Sequence, residues 1–191
     1  MMEKFNLTML VDFYEFTMAN GYFNSDYKDK IVYFDVFYRS VPDKGGYAIC
    51  CGLESIINYI QNLHFEESEI KYLRNKNCFS DDFLEYLKDF KFNGDIWAAP
   101  EGTIIFPNEP VVTVRANIIE AQLIETYLLL SINYQSLIAT KTKRIVEAAK
   151  GKAVMEFGSR RAQGESAALL GARSAYIAGA VGTACAMADI R

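Results

Sequence analysis

The sequence predicts an α/β protein whose C-terminal region contains a parallel βαβ unit. Residues 153–157 form a short apolar strand, 158–161 a loop and 163–180 an Ala-rich helix, and a second strand begins near residue 181. Parallel strands need a crossover of this kind, and such units repeat to build parallel sheets or barrels. Upstream, helical periodicity alternates with short β-branched and aromatic runs, which is typical of a mixed α/β chain.

The composition indicates a folded globular protein. Of 191 residues, 51% are hydrophobic and 23% are charged, which excludes disorder and low complexity. The length is enough for one ordinary domain, or for one small domain and part of a second. The formal net charge of −4 argues against a general nucleic-acid binder. An anionic substrate therefore needs a local cluster of positive charge.

The first elements are a helix and two strands. Apolar and aromatic residues recur at helical spacing over residues 8–20, and Asn20-Gly21 is a typical helix stop. Residues 31–38 and 47–51 are rich in β-branched and aromatic side chains, which predicts two strands. Gly45-Gly46 between them is most simply a hairpin connection, since no Walker-type lysine and hydroxyl follow.

Helices dominate the middle of the chain, interrupted by short strands. The predicted helices cover residues 53–63, 68–74, 80–90 and 118–150. Ser80 is placed to cap the third of these, and Gly151 ends the fourth. Proline-broken runs at 95–99, 103–106 and 111–114 predict one small β unit. Ala and Gly enrichment after Gly151 suggests a domain boundary within the long helix, giving a mixed α/β N-terminal domain over 1–130 and a second domain over 131–191.

Cysteine and histidine usage excludes several classes of site. The four cysteines, Cys50, Cys51, Cys78 and Cys185, match neither a zinc module nor a disulfide scaffold, so we expect reduced, mostly buried thiols. A single histidine, His64, excludes histidine-rich metal chemistry and is expected at the surface near a helix start.

No leader-like start and no apolar run of roughly 20 residues is visible, so we expect a soluble, cytoplasmic protein.

The loop after the first strand of the βαβ unit is the strongest candidate for chemistry. Catalytic groups in parallel βα architectures gather where strands end. There, Arg160 and Arg161 offer fork-shaped donors for carboxylate or phosphate, and Phe157 offers a ring face to a flat aromatic substrate. The alternative is that the two arginines pair with Glu156 and Glu165 and only solvate the loop.

Other candidate residues carry weaker signals. Gly182-Thr183 starts the next strand region, but Gly and Thr also occur in ordinary turns. Asp12 and Tyr14 lie in the first helix, where a tyrosine on an apolar face is more often part of the core than a ligand contact.

Taken together, several motifs resemble the N-terminal part of nicotinate phosphoribosyltransferases. The motifs lie in the family's order and span nearly the whole chain: residues 10–18 (LVDFYEFTM), 45–48 (GGYA), 100–103 (PEGT), 107–110 (PNEP), 120–126 (EAQLIET), 136–141 (SLIATK) and 156–162 (EFGSRRA). Several such motifs together are highly specific, although any one would be weak. The linear phosphoribosyl-pyrophosphate motif of type I phosphoribosyltransferases is absent.

The resemblance implies a fold and an activity. The fold is an α+β N-terminal domain followed by the start of an irregular, incomplete α/β barrel of the type II phosphoribosyltransferase kind. The activity is formation of nicotinate mononucleotide and pyrophosphate from nicotinate and phosphoribosyl pyrophosphate in NAD biosynthesis, an ATP-coupled ligase or glycosyltransferase reaction that requires Mg²⁺. The resemblance also implies a homodimer whose active sites lie at the subunit interface.

The resemblance also implies residue roles. Phe157 stacks on the pyridine ring, and the partner subunit's Tyr14 stacks on its other face. Arg160, with Arg161 beside it, faces the anionic parts of the ligands. Asp12 and Gly182-Thr183 are further substrate contacts.

The chain also departs from the family. A βα barrel takes about 250 residues, far more than remain after residue 130, and the phosphorylatable histidine that couples ATP lies downstream in the family, with His64 outside its motif. We expect the front portion of a longer enzyme, unable alone to carry out the coupling step. Two alternatives stay open: a relative specific for nicotinamide or quinolinate, and a truncated inactive subunit that acts as a dimerisation module.

Overall fold

A computed structural model of the protein describes residues 6–190. Residues 1–5, on which the expectation of no leader partly rests, lie outside this range. The helices are α1 (Phe13–Phe23), α2 (Leu53–Gln61), α3 (Glu67–Arg74), α4 (Asp81–Lys88), α5 (Ile118–Ala148), α6 (Glu165–Ile177) and α7 (Ala186–Asp189). The strands are β1 (Ile31–Val36), β2 (Ala48–Ile49), β3 (Asp95–Ala98), β4 (Ile104–Ile105), β5 (Val112–Asn117), β6 (Met155–Glu156) and β7 (Gly182–Thr183).

The described chain divides into two compact units. The first contains the residues up to Asp35 together with Glu54–Trp97 and Val112–Leu129. The second contains Val36–Leu53, Ala98–Val111 and the residues from Leu130 onward. Helix α5 contributes its first part to one unit and the rest to the other. The boundary near residue 130 inferred from composition stays a prediction.

The first unit is built around a three-stranded sheet in the order β1-β5-β3. Along β5, buried Val112, Val114 and Ala116 alternate with partly exposed residues, as a strand with one face on a core requires. Helices α1 to α4 and the first part of α5 supply the rest of this core, including Phe16 and Phe83, both at most 1% exposed. Burying aromatic and aliphatic side chains in this way is the main stabilising contribution to the unit.

Local sequence signals account for the helices of the first unit. The Ser80 hydroxyl accepts a hydrogen bond from the Phe83 N–H at 3.3 Å, which confirms Ser80 as the N-cap of α4. A reciprocal capping box between Glu66 and Glu69 opens α3. His64 is exposed and precedes α3, as expected. The helices predicted over 53–63, 68–74 and 80–90 are therefore confirmed.

In the second unit, α5 satisfies backbone groups of a short strand segment. Strand β2 pairs antiparallel with β4, with Ala48 opposite Ile105. On the α5 side, buried Thr140 accepts a hydrogen bond from the Ile49 N–H at 2.8 Å, and buried Ser136 accepts one from the Cys51 N–H at 2.9 Å. Buried backbone donors need such partners. This explains the two hydroxyl residues in the 136–141 motif.

The predicted βαβ unit is confirmed. Strand β6 pairs with β7 in parallel, with Met155 beside Gly182 and Glu156 beside Thr183, and α6 forms the crossover. The mixed α/β class predicted from the sequence is therefore correct.

The first helix differs from its prediction at both ends. It begins at Phe13 rather than near residue 8, and it continues through Asn20-Gly21 to Phe23. The Asn20 side chain does not end the helix because it accepts a hydrogen bond from the Ser80 N–H at 3.0 Å. Tertiary contact has replaced the local stop signal.

The strand pairings also differ from the predictions. The strands around Gly45-Gly46 do not form a hairpin, since β1 pairs with β5 and β2 pairs with β4. The three short strands after residue 94 do not form one β unit, because β3 and β5 share one sheet while β4 belongs to another. Periodicity identifies strands but not their partners, which are set by long-range contacts.

In the part of the chain that the structure describes, no helix has both the length and the apolar character needed to cross a membrane.

Replacing Gly52 by Ala is expected to destabilise the second unit. Gly52 has φ +117°, and an added Cβ would lie 2.6 Å from the carbonyl oxygen of Ser131. Backbone strain and overlap together predict a loss of about 2 kcal/mol or more in the free energy of unfolding, measured by urea denaturation.

Gly21→Ala is the matched control. Gly21 lies inside α1 with open space around its Cα, so alanine should stabilise the protein by about 0.5–1 kcal/mol. Similar small effects of the two substitutions would contradict the steric argument at Gly52.

Candidate functional site

The ends of β6 and β7 lie side by side and define the candidate site. Because the two strands are parallel and Glu156 is beside Thr183, the segments that follow them leave the same edge of the pair. The strand-end site, as we call it, consists of Phe157, Arg160 and Arg161 after β6 and Gly182-Thr183 in β7. Five of the seven residues singled out from the sequence thus lie in one small region of the second unit.

The side chains after β6 are open to solvent. Phe157 is 66% exposed, and Arg160 and Arg161 lie in a 3₁₀ turn, Ser159–Arg161, with both side chains exposed. Within residues 6–190, neither arginine forms an ion pair with Glu156 or Glu165. The alternative in which these acids neutralise the arginines is therefore not observed. A ring face and two guanidinium groups remain available to a ligand.

The Glu156 carboxylate is occupied by neutral donors. The Thr183 hydroxyl donates a hydrogen bond to Glu156 Oε2 at 2.6 Å, and the Gly158 N–H donates one to Glu156 Oε1. Thr183 Oγ1 in turn accepts a hydrogen bond from the Cys185 N–H at 3.0 Å. These bonds connect the chain after β6 with the chain after β7.

Asp12 and Tyr14 lie at the start of α1, in the first unit. Asp12 is the N-cap residue, yet its side chain makes no capping hydrogen bond. Thr126 Oγ1 accepts a hydrogen bond from the Asp12 N–H at 3.1 Å and donates one to Glu15 Oε1 at 2.8 Å. The Asp12 side chain is exposed, and Tyr14 is 51% exposed rather than part of the core. The Glu125 carboxylate raises the pKa of the Tyr14 hydroxyl.

Comparison with known proteins identifies the family. Residues 9–133 match the family model for the nicotinate phosphoribosyltransferase (NAPRTase) N-terminal domain. The chain belongs to the nicotinate phosphoribosyltransferase family. The resemblance stated from the sequence motifs is confirmed.

Individual relatives show the extent of the match. Nicotinate phosphoribosyltransferase pncB2 of Mycobacterium tuberculosis is 46% identical over 175 residues, covering 92% of this chain and 38% of the relative. The Bacillus subtilis nicotinate phosphoribosyltransferase is 40% identical over 174 residues, covering 91% of this chain and 36% of the relative. The chain thus spans less than half the length of these relatives.

Solved structures agree with the fold. The crystal structure of human nicotinic acid phosphoribosyltransferase superposes with a TM-score of 0.87 at 28% identity, over 94% of this chain and 37% of the human chain. A nicotinate-nucleotide pyrophosphorylase from Pyrococcus furiosus superposes with a TM-score of 0.73 at 24% identity, over 98% of this chain and 42% of that chain. This second likeness shows the fold alone.

Sequence reasoning missed a network that fixes the crossover helix of this family member. Arg173 on α6 donates to Glu101 Oε1 at 3.0 Å and to Glu101 Oε2 at 2.6 Å. Glu101 also accepts from the backbone N–H groups of Gly52 at 2.6 Å and Leu53 at 3.0 Å, where α2 begins. Partial burial opposes ionisation of Glu101, but these donors, Arg173 first, lower its pKa. The only signal for Glu101 was its place in the 100–103 motif, and Arg173 had none.

The buried thiols beside this network are structural. Cys50 and Cys51 are free and fully buried, as expected from the sequence. Burial raises the pKa of Cys50 to about 12 and that of Cys51 to about 11. Burial thus disfavours the thiolate, which is the form of cysteine that acts as a nucleophile.

The described residues do not form a ready metal centre. Among residues 6–190, no group of three or more His, Cys, Asp or Glu side chains is arranged to hold a metal ion. Within the second unit, the Glu156 carboxylate already accepts hydrogen bonds from the Thr183 hydroxyl and the Gly158 N–H. The expected Mg²⁺ requirement therefore stays a prediction, and no step is derived through the metal.

The buried Glu15 predicts a pH-dependent stability. Its Oε2 has no hydrogen-bond partner among the described residues, and burial raises its pKa from 4.5 to about 7. The Glu125 and Asp12 carboxylates act in the same direction, and the hydrogen bond from Thr126 opposes them. Between these two values the folded state binds more protons than the unfolded state, so stability falls as pH rises through this window.

We expect Glu15→Gln to flatten this dependence. The free energy of unfolding of the unmodified protein should decrease between pH 5 and pH 8, and that of the variant should decrease less, because a glutamine has no proton to lose. Urea denaturation at several pH values measures both slopes. Parallel curves for the two proteins would show that Glu15 does not titrate in this range.

Proposed function

We propose that this chain forms the N-terminal portion of a nicotinate phosphoribosyltransferase that acts in NAD biosynthesis. The reaction joins the ring nitrogen of nicotinate to the anomeric carbon of phosphoribosyl pyrophosphate and breaks the bond from that carbon to pyrophosphate. Nicotinate mononucleotide and pyrophosphate are the products. The observation that carries the proposal is the strand-end site. There, exposed Phe157 is followed in the next turn by two exposed arginines that pair with neither Glu156 nor Glu165 in the described part of the chain.

The geometry suits a flat, anionic aromatic acid. Phe157 offers a ring face, and stacking of this kind contributes about 0.5–1.5 kcal/mol beyond the buried area. Arg160 and Arg161 offer charge-assisted hydrogen bonds of about 1.5–3 kcal/mol each to a carboxylate or phosphate. A nicotinamide substrate has no carboxylate to use them, so the free arginines favour the acid over the amide.

These residues also fit the charge changes of the reaction. Positive charge develops on the ribose as the bond to pyrophosphate lengthens, and negative charge grows on the leaving group. Holding the pyridine ring against Phe157 would orient its nitrogen toward the anomeric carbon, which lowers the entropic part of the activation barrier. Fixed guanidinium groups stabilise the growing negative charge without reorganising at the moment of reaction.

We propose that a second copy of the protein completes the site. In this homodimer, the partner subunit's Tyr14 would cover the second face of the pyridine ring, and the partner subunit's Asp12 would lie beside it. The half-exposed Tyr14 ring and the uncommitted Asp12 carboxylate support this assignment.

We further propose that the whole protein couples ATP hydrolysis to the transfer, requires Mg²⁺ and works in the cytoplasm. Magnesium is usually bound through one or two carboxylates together with substrate phosphates, which suits a site that lacks a complete ligand set of its own. His64 is not proposed as the coupling histidine, because it lies in the first unit with its Nδ1 2.7 Å from the Asn62 carbonyl oxygen.

An activity assay on the full-length protein tests the proposal. Purified protein is incubated with phosphoribosyl pyrophosphate, Mg²⁺ and one of nicotinate, nicotinamide or quinolinate, with and without ATP, and mononucleotides are separated by chromatography. Of the three pyridines, only nicotinate is expected to give a mononucleotide product, and ATP is expected to increase the rate of its formation. Turnover of nicotinamide or quinolinate in preference to nicotinate would overturn the substrate assignment. No turnover of any pyridine would favour the inactive dimerisation module.

Substitutions at the strand-end site should weaken nicotinate use. Arg160→Ala or Arg161→Ala should raise the KM for nicotinate or for phosphoribosyl pyrophosphate by about 10-fold or more, since a charge-assisted contact is lost. Phe157→Leu should raise the nicotinate KM by about 2- to 10-fold. Lys152→Ala, which removes an exposed cation of the same unit, is the control, and its kcat and KM should equal those of the unmodified protein. Unmodified kinetics in the site variants would remove the assignment.

A further inference from the structure

The Glu156 carboxylate makes unexpected contacts. In the chain it immediately precedes Phe157 and comes shortly before Arg160 and Arg161, yet both of its oxygens accept from neutral donors, the Thr183 hydroxyl and the Gly158 N–H. A carboxylate usually gains more from a guanidinium than from such groups. The carboxylate therefore connects the segment after β6 with the segment after β7, and it does not neutralise the charge of the arginines.

The glycine at position 158 suits this contact. Its backbone angles, φ −85° and ψ −6°, are open to any residue, so the conformation does not require glycine. An added Cβ at this position would lie 2.7 Å from Glu156 Oε1, closer than non-bonded contacts allow. The glycine leaves room for the carboxylate to turn back over the loop.

Thr183 extends the connection into the chain after β7. Its hydroxyl donates to Glu156 Oε2 and accepts from the Cys185 N–H, which fixes the turn that follows the strand. The Ala184 N–H donates to the Glu156 carbonyl oxygen at 2.9 Å, so backbone and side chain of one residue hold the same neighbouring segment. The two segments that carry the candidate ligand contacts are thus joined at Glu156.

We propose that Glu156 is a positioning residue of the strand-end site: its carboxylate holds the loop after β6 against the chain after β7 and sets where Phe157, Arg160 and Arg161 stand. The inference rests on the proposed function, because the ligand so positioned is the anionic pyridine. Each Glu156 oxygen already accepts a hydrogen bond, from Thr183 or from Gly158, so the role we assign to Glu156 is positioning rather than ligand contact.

A double-mutant cycle in the full-length protein tests the role. Glu156→Ala and Thr183→Val should each raise the nicotinate KM by about tenfold, with kcat changed less than KM. Because both remove the same connection, the double variant should also lose about tenfold rather than about a hundredfold. Thr183→Ser keeps the hydroxyl and should restore the KM to within about twofold.

Further variants separate positioning from folding and from charge. Gly158→Ala displaces the carboxylate without removing it and should reproduce the rise in KM, even if Glu156→Ala fails to fold. Glu165→Ala removes an equal charge from an exposed residue at the start of α6 and should leave the KM unchanged. Circular dichroism and thermal unfolding check that each variant is folded.

The outcomes distinguish this inference from the proposed function. Two results would overturn the positioning role: additive losses in the double variant, or a KM equal to that of the unmodified protein in folded Glu156→Ala and Gly158→Ala. In either case, nicotinate turnover by the unmodified protein would still uphold the proposed function. Failure of the unmodified protein to use nicotinate would overturn both.

Discussion

The candidate site depends on the parallel pairing of β6 with β7. This pairing aligns Glu156 with Thr183 and sends both following segments off the same edge. Without it, Phe157 and the arginines would be separated from Gly182-Thr183 by the whole of α6. The contact between α6 and the rest of the second unit is itself held by the bidentate pair of Arg173 and Glu101, whose geometry gives direction as well as attraction.

Helix α5 also organises the structure, through hydroxyl side chains along its length. Thr126 accepts a hydrogen bond from the N–H of Asp12, just before α1 in the first unit, while Ser136 and Thr140 accept hydrogen bonds from strand-segment N–H groups in the second. A buried N–H without a partner is costly, so these hydroxyls permit close packing of backbone against the helix. The same arrangement leaves the Asp12 carboxylate uncommitted at the N-terminus of α1.

Much of the local structure was predictable because its signals are local. Ser80 caps α4 as its position before two aspartates indicates, and the strand-helix-strand order after residue 152 was visible in composition and periodicity. Predictions failed where a distant residue intervened. Asn20 bonds Ser80 instead of ending α1, and β2 pairs with β4 instead of with β1.

The amino-acid sequence by itself determined the α/β class, the family and the residue types that suit an anionic aromatic ligand, because periodicity and motifs are written along the chain. Only the tertiary structure decided which groups those residues meet. That Glu156 binds Thr183 rather than the neighbouring arginines, and that Arg173 binds Glu101, depends on strand register and helix packing between residues far apart in the chain. Side-chain partners of this kind follow from three-dimensional geometry, which no local pattern encodes.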